Sequence, residues 1–332
     1  MEFNSKLLED LTSTFSPSGN EEKVRNLIIR EIEDYVDEIN IDKLGNLIAR
    51  KKGNGKKVMI AGHMDQIGLM ITDIDKEGFL RFTNIGGISP FHSINQRVIF
   101  DNGTVGVIYM EDVEDKNKLK LEKLYIDIGA SNKEEAEKII NIGDSCVYLS
   151  EYYKDDKRII SKCLDDRIGC FVMIESLKSL EKTDNDLYFV FTVQEELGIR
   201  GAKTSAYKID PDIGIAVDIT GSGDTPNSKR FAVGLNKGTA IKVMDKSMIT
   251  HPKIKKIMQE TAEENNINYQ MEVLEYGGTD SGAIHLTKEG VPSGVISIPT
   301  RYVHSSNETI SISDVNNSIK LLKTVLINKF EI

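Results

Sequence analysis

The chain has 332 residues, 39% hydrophobic and 28% charged, with a formal net charge of -10, a balance that allows a large core and room for two domains. Its acidity argues against nucleic acid or an anionic membrane as partner. No apolar run approaches the roughly 18 residues of a transmembrane helix, and the first ten residues have neither the basic start nor the apolar core of a signal peptide, so the expected location is cytoplasmic.

Ser18-Gly-Asn-Glu21 has capping-box spacing, and Val24, Leu27, Ile28, Ile32 and Val36 then recur at helical intervals, which predicts an amphipathic helix. Residues 38 to 50 read as extended around a Leu44-Gly45-Asn46 turn. Lys57-Val-Met-Ile-Ala61 is a short buried strand running into Gly62-His63-Met64-Asp65. From Ile67 to about Ser161 the texture changes to short alternating strands divided by turn signals at 75–78, 84–87 and 101–103, with one helical piece over 133–140. Residues 111 to 123 are charge-rich and predict an exposed loop.

After Ser161 strands alternate with helices. Asp165-Asp166-Arg167 precedes an apolar helix over 168–180, and Leu187-Tyr-Phe-Val-Phe-Thr-Val193 is an uncharged run with the pattern of a strand buried on both faces. Strands at 213–217 and 294–298 follow, with helices over about 252–265, after Gly282, and over 313–328. The expected fold is α/β, with a mostly parallel, doubly covered sheet interrupted by an inserted β-rich segment. The expected boundaries are 1-66 and 162-332 for a discontinuous catalytic domain and 67-161 for the insertion.

The run 187–193 ends in two adjacent carboxylates, Glu195 and Glu196. Ionised acids at the edge of a low-dielectric core need a compensating positive charge. A metal would supply it; alternatively both glutamates cap the following turn in solvent. His63, Glu195, Glu196, Asp218 and His304 all fall at or beyond the carboxyl ends of expected strands, the edge at which open α/β sheets gather ligands. His92, His251 and His285 read as surface or core filler. Imidazoles with several carboxylates suit Zn, Co or Mn better than Ca. With one bridging carboxylate the set could hold two metals roughly 3.5 to 4 Å apart and leave one acid over as a base. Cys146, Cys163 and Cys170 have no metal-knuckle spacing and predict buried, reduced thiols.

Gly62-His63-Met-Asp65, Cys163-Leu-Asp165-Asp166-Arg-Ile-Gly169, Val193-Gln-Glu195-Glu196-Leu-Gly, Ala216-Val-Asp218, Tyr276-Gly-Gly-Thr-Asp280 and Pro299-Thr-Arg-Tyr-Val-His304-Ser305 resemble, in order along nearly the whole chain, the motif series of the dinuclear aminopeptidases of metallopeptidase family forty-two. That family includes glutamyl aminopeptidase and the tetrahedral aminopeptidases. The resemblance implies a zinc-peptidase-like catalytic domain with two divalent ions per subunit, one held by His63 and Asp218, the other by Glu196 and His304, with Asp165 bridging. It implies Glu195 as general base activating a metal-bridging water, and Asp65 as the residue that orients His63. It also implies peptide substrates cut at the amino end, a barrel-like insertion used for dimerisation, and a homo-oligomer that is a dimer or a tetrahedral dodecamer.

The chain departs from that series at Gly62, Gln66, residues 220–223 and residues 306–308, none of them an implied ligand. Two other functions are compatible with parts of the pattern. A glycoside hydrolase would use Glu195 with Asp165 or Asp218 as paired carboxylates, although such enzymes usually have Trp platforms and this chain has 0 Trp. A non-catalytic, metal-stabilised assembly protein would not need Glu195.

Overall fold

The uncharged runs near Val58, Leu187, Ile213 and Gly294 become the centre of one eleven-stranded sheet. The computed structural model describes residues 3–115, 118–180, 182–228 and 231–331. Lys57–His63 lies parallel to Asp186–Thr192 on one side and to Ile213–Gly221 on the other, and Ile213–Gly221 lies parallel to Ser293–Arg301. Successive side chains of a strand point to opposite faces. Accordingly, Val58 and Ile60 pack in one apolar cluster with the helices Leu164–Lys178 and Ile312–Ile327, whereas Met59 and Ala61 pack in another with Ala202, Ala206 and Ile284.

The sheet is mixed rather than mostly parallel. Glu38–Ile41 pairs antiparallel with Leu47–Lys51, which pairs antiparallel with Asp186–Thr192. On the far side Glu308–Ser311 is antiparallel to both Ser293–Arg301 and Arg158–Ser161. Short connections can join only antiparallel neighbours, and the sequence carries one at Asp42, whose carboxylate accepts the amides of Leu44, Gly45 and Asn46. Two unanticipated strands, Thr239–Met244 and Tyr269–Val273, pair with each other, and the first also pairs with Ser293–Arg301.

Six strands between Gly68 and Tyr148 close into a barrel in the order Gly68–Ile74, Leu80–Ile85, Leu124–Asp127, Val105–Met110, Arg97–Phe100, Ser145–Tyr148. Their period-2 alternation turns Leu69, Ile71, Phe82, Val98, Ile108 and Ile126 into a separate apolar interior. Val105, Val107 and Tyr109 alternate with buried Gly106 and Ile108 and lie exposed on the outside.

Several elements differ locally from expectation. The amphipathic helix expected after Ser18 is Glu22–Ile32, preceded by an unanticipated helix, Ser5–Ser13, that buries Leu7, Leu8 and Leu11; Ser18 does not cap Glu22–Ile32, and its hydroxyl donates to Asp65 Oδ2 at 2.6 Å. The helical piece expected over 133–140 is a single turn, Lys133–Ala136, and the one after Gly282 is Ser281–Ile284. In the charge-rich loop Glu111 pairs with Arg81 and Lys123; Lys116 and Asn117 of that loop lie outside the described residues. No helix among the described residues is long and apolar enough to cross a membrane.

Candidate metal and catalytic site

His63 is the last residue of its strand, Glu195 and Glu196 follow Asp186–Thr192, and Asp218 lies within the longer strand Ile213–Gly221. His304 sits in the turn after Ser293–Arg301. These residues and Asp165 border one cleft of about 600 Å³ whose outer wall includes Tyr276 and Leu274. All six side chains singled out as ligands or base therefore converge.

Asp165 is the hub. Its Oδ1 lies 3.1 Å from His63 Nε2 and its Oδ2 lies 3.1 Å from His304 Nε2, so one carboxylate spans both imidazoles. Glu196 Oε1 faces His304 Nε2 at 3.3 Å, and Glu195 Oε2 is 3.9 Å from His63 Nε2. Oxygens and nitrogens of His63, Asp165 and Glu196 form one group compact enough for a cation, and those of His63, Asp166 and Asp218 form a second.

Asp65 does more than orient the ring. The Nδ1 of His63 lies 3.2 Å from the Asp65 carbonyl oxygen and 3.4 Å from Asp65 Oδ1, which places the proton on Nδ1 and aims Nε2 into the cleft. The same carboxylate accepts the amides of Glu195 at 3.0 Å and Glu196 at 3.2 Å. It thus holds His63, at the end of one strand, in register with the two acids that follow the neighbouring strand.

Further residues at the site were not anticipated. Glu308, fully buried, accepts the amide of Asp165 through Oε2 at 2.9 Å and that of His304 through Oε1 at 2.7 Å. Asp166 accepts the amide of His63 at 3.2 Å. Asp280 accepts the Thr192 hydroxyl at 2.5 Å while its Oδ1 has no hydrogen-bond partner among the described residues. From the barrel side, a Cβ on Gly86 would stand 2.7 Å from Glu196 Oε2, and one on Gly87 would stand 2.8 Å from His304 Nδ1. Only glycine lets the loop after Leu80–Ile85 come so close. Four other side-chain-bearing residues hold positive φ next to these groups: Cys163, Gln194, Tyr302 and His304. Such backbone persists where surrounding contacts impose it.

The electrostatics follow from crowding acids in a dry cleft. Burial raises the carboxyls of Glu195, Glu196, Asp218 and Asp166 above the usual range, and neighbouring acids add to the effect. Burial likewise pushes Asp280 up to about 6. Asp165 runs the other way: burial opposes its ionisation, but the two imidazoles beside it hold it low. Burial disfavours the charged form of His304, yet Asp165 and Glu196 raise it to about 12. Lys242 also reaches the cleft wall, but its ammonium is committed to Glu272 and Asp245. Six acids thus face two imidazoles, and Glu196 Oε1 is buried without a hydrogen bond among the described residues. This donor set, rich in carboxylate and imidazole and short of positive charge, fits divalent cations.

Comparison with known proteins places residues 45–321 in a match to a family described as M42 glutamyl aminopeptidase. The chain is 56% identical over 317 residues to a provisionally named aminopeptidase of Acetivibrio thermocellus, covering 95% of this chain and 96% of that one. An aminopeptidase from the archaeon Desulfurococcus kamchatkensis superposes with a TM-score of 0.94 at 42% identity, over 97% of this chain and 94% of the other. The TET1 peptidase of Pyrococcus horikoshii, which can assemble into a tetrahedron or a large octahedral shell, gives 0.87 at 33% identity over 98% and 99%. A Thermotoga maritima protein described as an endoglucanase gives 0.82 at 36% identity over 96% of both chains.

Proposed function

The chain belongs to the M42 glutamyl aminopeptidase family and is a hydrolase of the aminopeptidase class, and from that premise we propose how its residues divide the reaction. His63 and Asp218 hold one divalent ion, Glu196 and His304 hold a second, and Asp165 bridges them; Zn, Co and Mn suit these donors. The observation that carries this reading is the Asp165 carboxylate, with one oxygen on each imidazole. The ions, when bound, polarise the scissile carbonyl and make water a better nucleophile near neutral pH.

Glu195 is the base. Its carboxylate borders the cleft with Oε2 3.9 Å from His63 Nε2, a position that suits a group that must take a proton from the attacking water and return it to the departing amine. Asp65 fixes the His63 tautomer and the Glu195-Glu196 backbone together. The cleft is open to short peptides, and the acids that line it, Asp165, Glu195, Glu196 and Asp218, favour a free α-amino group at its inner end.

The catalytic unit comprises 1-66 and 162-332, and the insertion 67-161 is a dimerisation domain. Its exposed Val105, Val107 and Tyr109 give one barrel strand an apolar outer face of the kind that packs against a second copy. Dimers built this way are the unit from which a closed shell like that of the TET1 peptidase could be assembled. Three buried free thiols suit a reducing, cytoplasmic setting.

A panel of aminoacyl anilides, N-acetylated peptides and carboxymethylcellulose tests the substrate class. Anilides should be cleaved and acetylated peptides should be poor substrates. Release of reducing sugar that disappears in a Glu195 variant would overturn the peptidase reading in favour of the glycosidase.

A further inference from the structure

A second cavity, of about 290 Å³, lies where the barrel meets the α/β unit and shares no lining residue with the cleft above. Phe15 and Lys23 line it from the amino-terminal segment, Phe100, Val147 and Leu149 from the barrel side, and Lys162 from the return crossing into the catalytic unit. The walls are mainly apolar. Lys23 is paired with Asp101 at the rim, which leaves Lys162 as the charge that distinguishes the pocket.

Lys162 is only 4% exposed. Its Nζ donates to Gln66 Oε1 at 3.2 Å, an uncharged acceptor, and the other amide end of Gln66 donates to the Thr14 carbonyl. An ammonium has three donors, and among the described residues no carboxylate lies within ion-pairing distance of this one. Glu308 acts on it only at longer range, with both oxygens already committed to the amides of Asp165 and His304. A buried cation held by a neutral amide is costly, and burial pushes this amine down to about 8.

We propose that this cavity binds a small monocarboxylate with an apolar tail, the carboxylate taking Lys162 Nζ and the tail lying against Phe15, Phe100, Val147 and Leu149. One cation matches one negative charge, and apolar walls favour an acid with a hydrocarbon end over an inorganic anion. The volume lies at the lower end for ligand pockets, which limits the tail to a few carbons. Two sources have this chemistry: a free short-chain acid, and the carboxyl-terminal residue of a short peptide. The ligand would touch both parts of the molecule and so tie the barrel to the catalytic unit.

Calorimetric titration of the full-length protein at pH 7 and constant ionic strength tests this, with hexanoate standing for the free acid, N-acetylleucine for the peptide end, and hexanamide as the uncharged control. Saturable binding of at least one carboxylate is expected, with hexanamide at least about tenfold weaker; the tighter carboxylate identifies the source. Lys162→Met should weaken binding at least about tenfold. Because removing a buried lysine can perturb folding, Gln66→Glu is the second arm. It supplies Lys162 with an internal counter-charge and should abolish hexanoate binding in a protein with a wild-type circular dichroism spectrum. No saturable binding of either carboxylate up to about 10 mM, equal affinity for hexanamide, or undiminished binding by folded Gln66→Glu would each overturn the proposal.

Discussion

The barrel and the cleft are built to opposite rules. Among the described residues between Ile67 and Tyr148, Ser93 is the one buried polar side chain apart from Tyr148, with whose hydroxyl it shares a 2.8 Å hydrogen bond; the rest of the described interior is apolar. The cleft and the residues packed behind it bury Asp65, Asp165, Asp166, Asp218, Asp280 and Glu308. Apolar burial stabilises without specific partners, whereas each buried acid needs a donor or a cation. The barrel can therefore gain its stability from its own sequence alone, while the cleft reaches its best state only with something added from solution.

The largest test of that contrast is metal removal. Dialysis against a chelator should reduce peptide hydrolysis to background and lower the unfolding temperature, because a ligand that binds only the folded state stabilises it; Zn, Co or Mn should restore both. Full activity in protein shown by elemental analysis to be metal-free would break the contrast.

Next in size, Glu195→Gln keeps the shape and loses the basicity. It should retain metal and bind peptide while kcat falls at least about 100-fold. Glu196→Gln should lose metal first, because a ligand has been removed. Metal content measured beside kcat separates the two, and the reverse pattern would mean that the neighbouring glutamates have exchanged roles.

The smallest effect on catalysis is expected from the barrel. Ile126 is fully buried there, and Ile126→Ala should cost about 2–5 kcal/mol in denaturant unfolding with kcat unchanged for the folded fraction. A drop in kcat in folded protein would show that the barrel interior is felt in the cleft through the Gly86-Gly87 loop.

The main sheet strands were legible because uncharged runs of β-formers are hard to place anywhere but inside, and the ligand edge followed from where those runs stop. His63, Glu195, Glu196 and His304 could be picked out on that ground. Asp165 could not, since the sequence places it ahead of an expected helix and not at the end of a strand; only the resemblance singled it out. Glu308 and Ser18 stayed hidden for a different reason. Each serves by bonding a group far away in sequence, 143 positions in the case of Glu308 and Asp165, and such a pairing leaves no periodicity to read. Gly86 and Gly87 read as an ordinary turn, because what makes them necessary is a neighbour that only the fold brings near. The turn at 44–46 was legible, but the antiparallel pairings of Leu47–Lys51 with Asp186–Thr192 and of Glu308–Ser311 with its neighbours were missed because buried apolar runs alone do not report strand direction.

Glu308, the acceptor for the amides of both Asp165 and His304, comes from Glu308–Ser311, the final strand in chain order. During translation, His63, Asp165, Glu195, Glu196 and Asp218 all emerge before it, and so before the acceptor that fixes the Asp165 backbone. Domains fold as their residues leave the ribosome, but this cleft cannot set until synthesis has passed Glu308. A nascent chain stalled before that point would carry most of the proposed acidic ligands but not the acceptor that holds the Asp165 and His304 amides, so a selective place for an ion waits on Glu308.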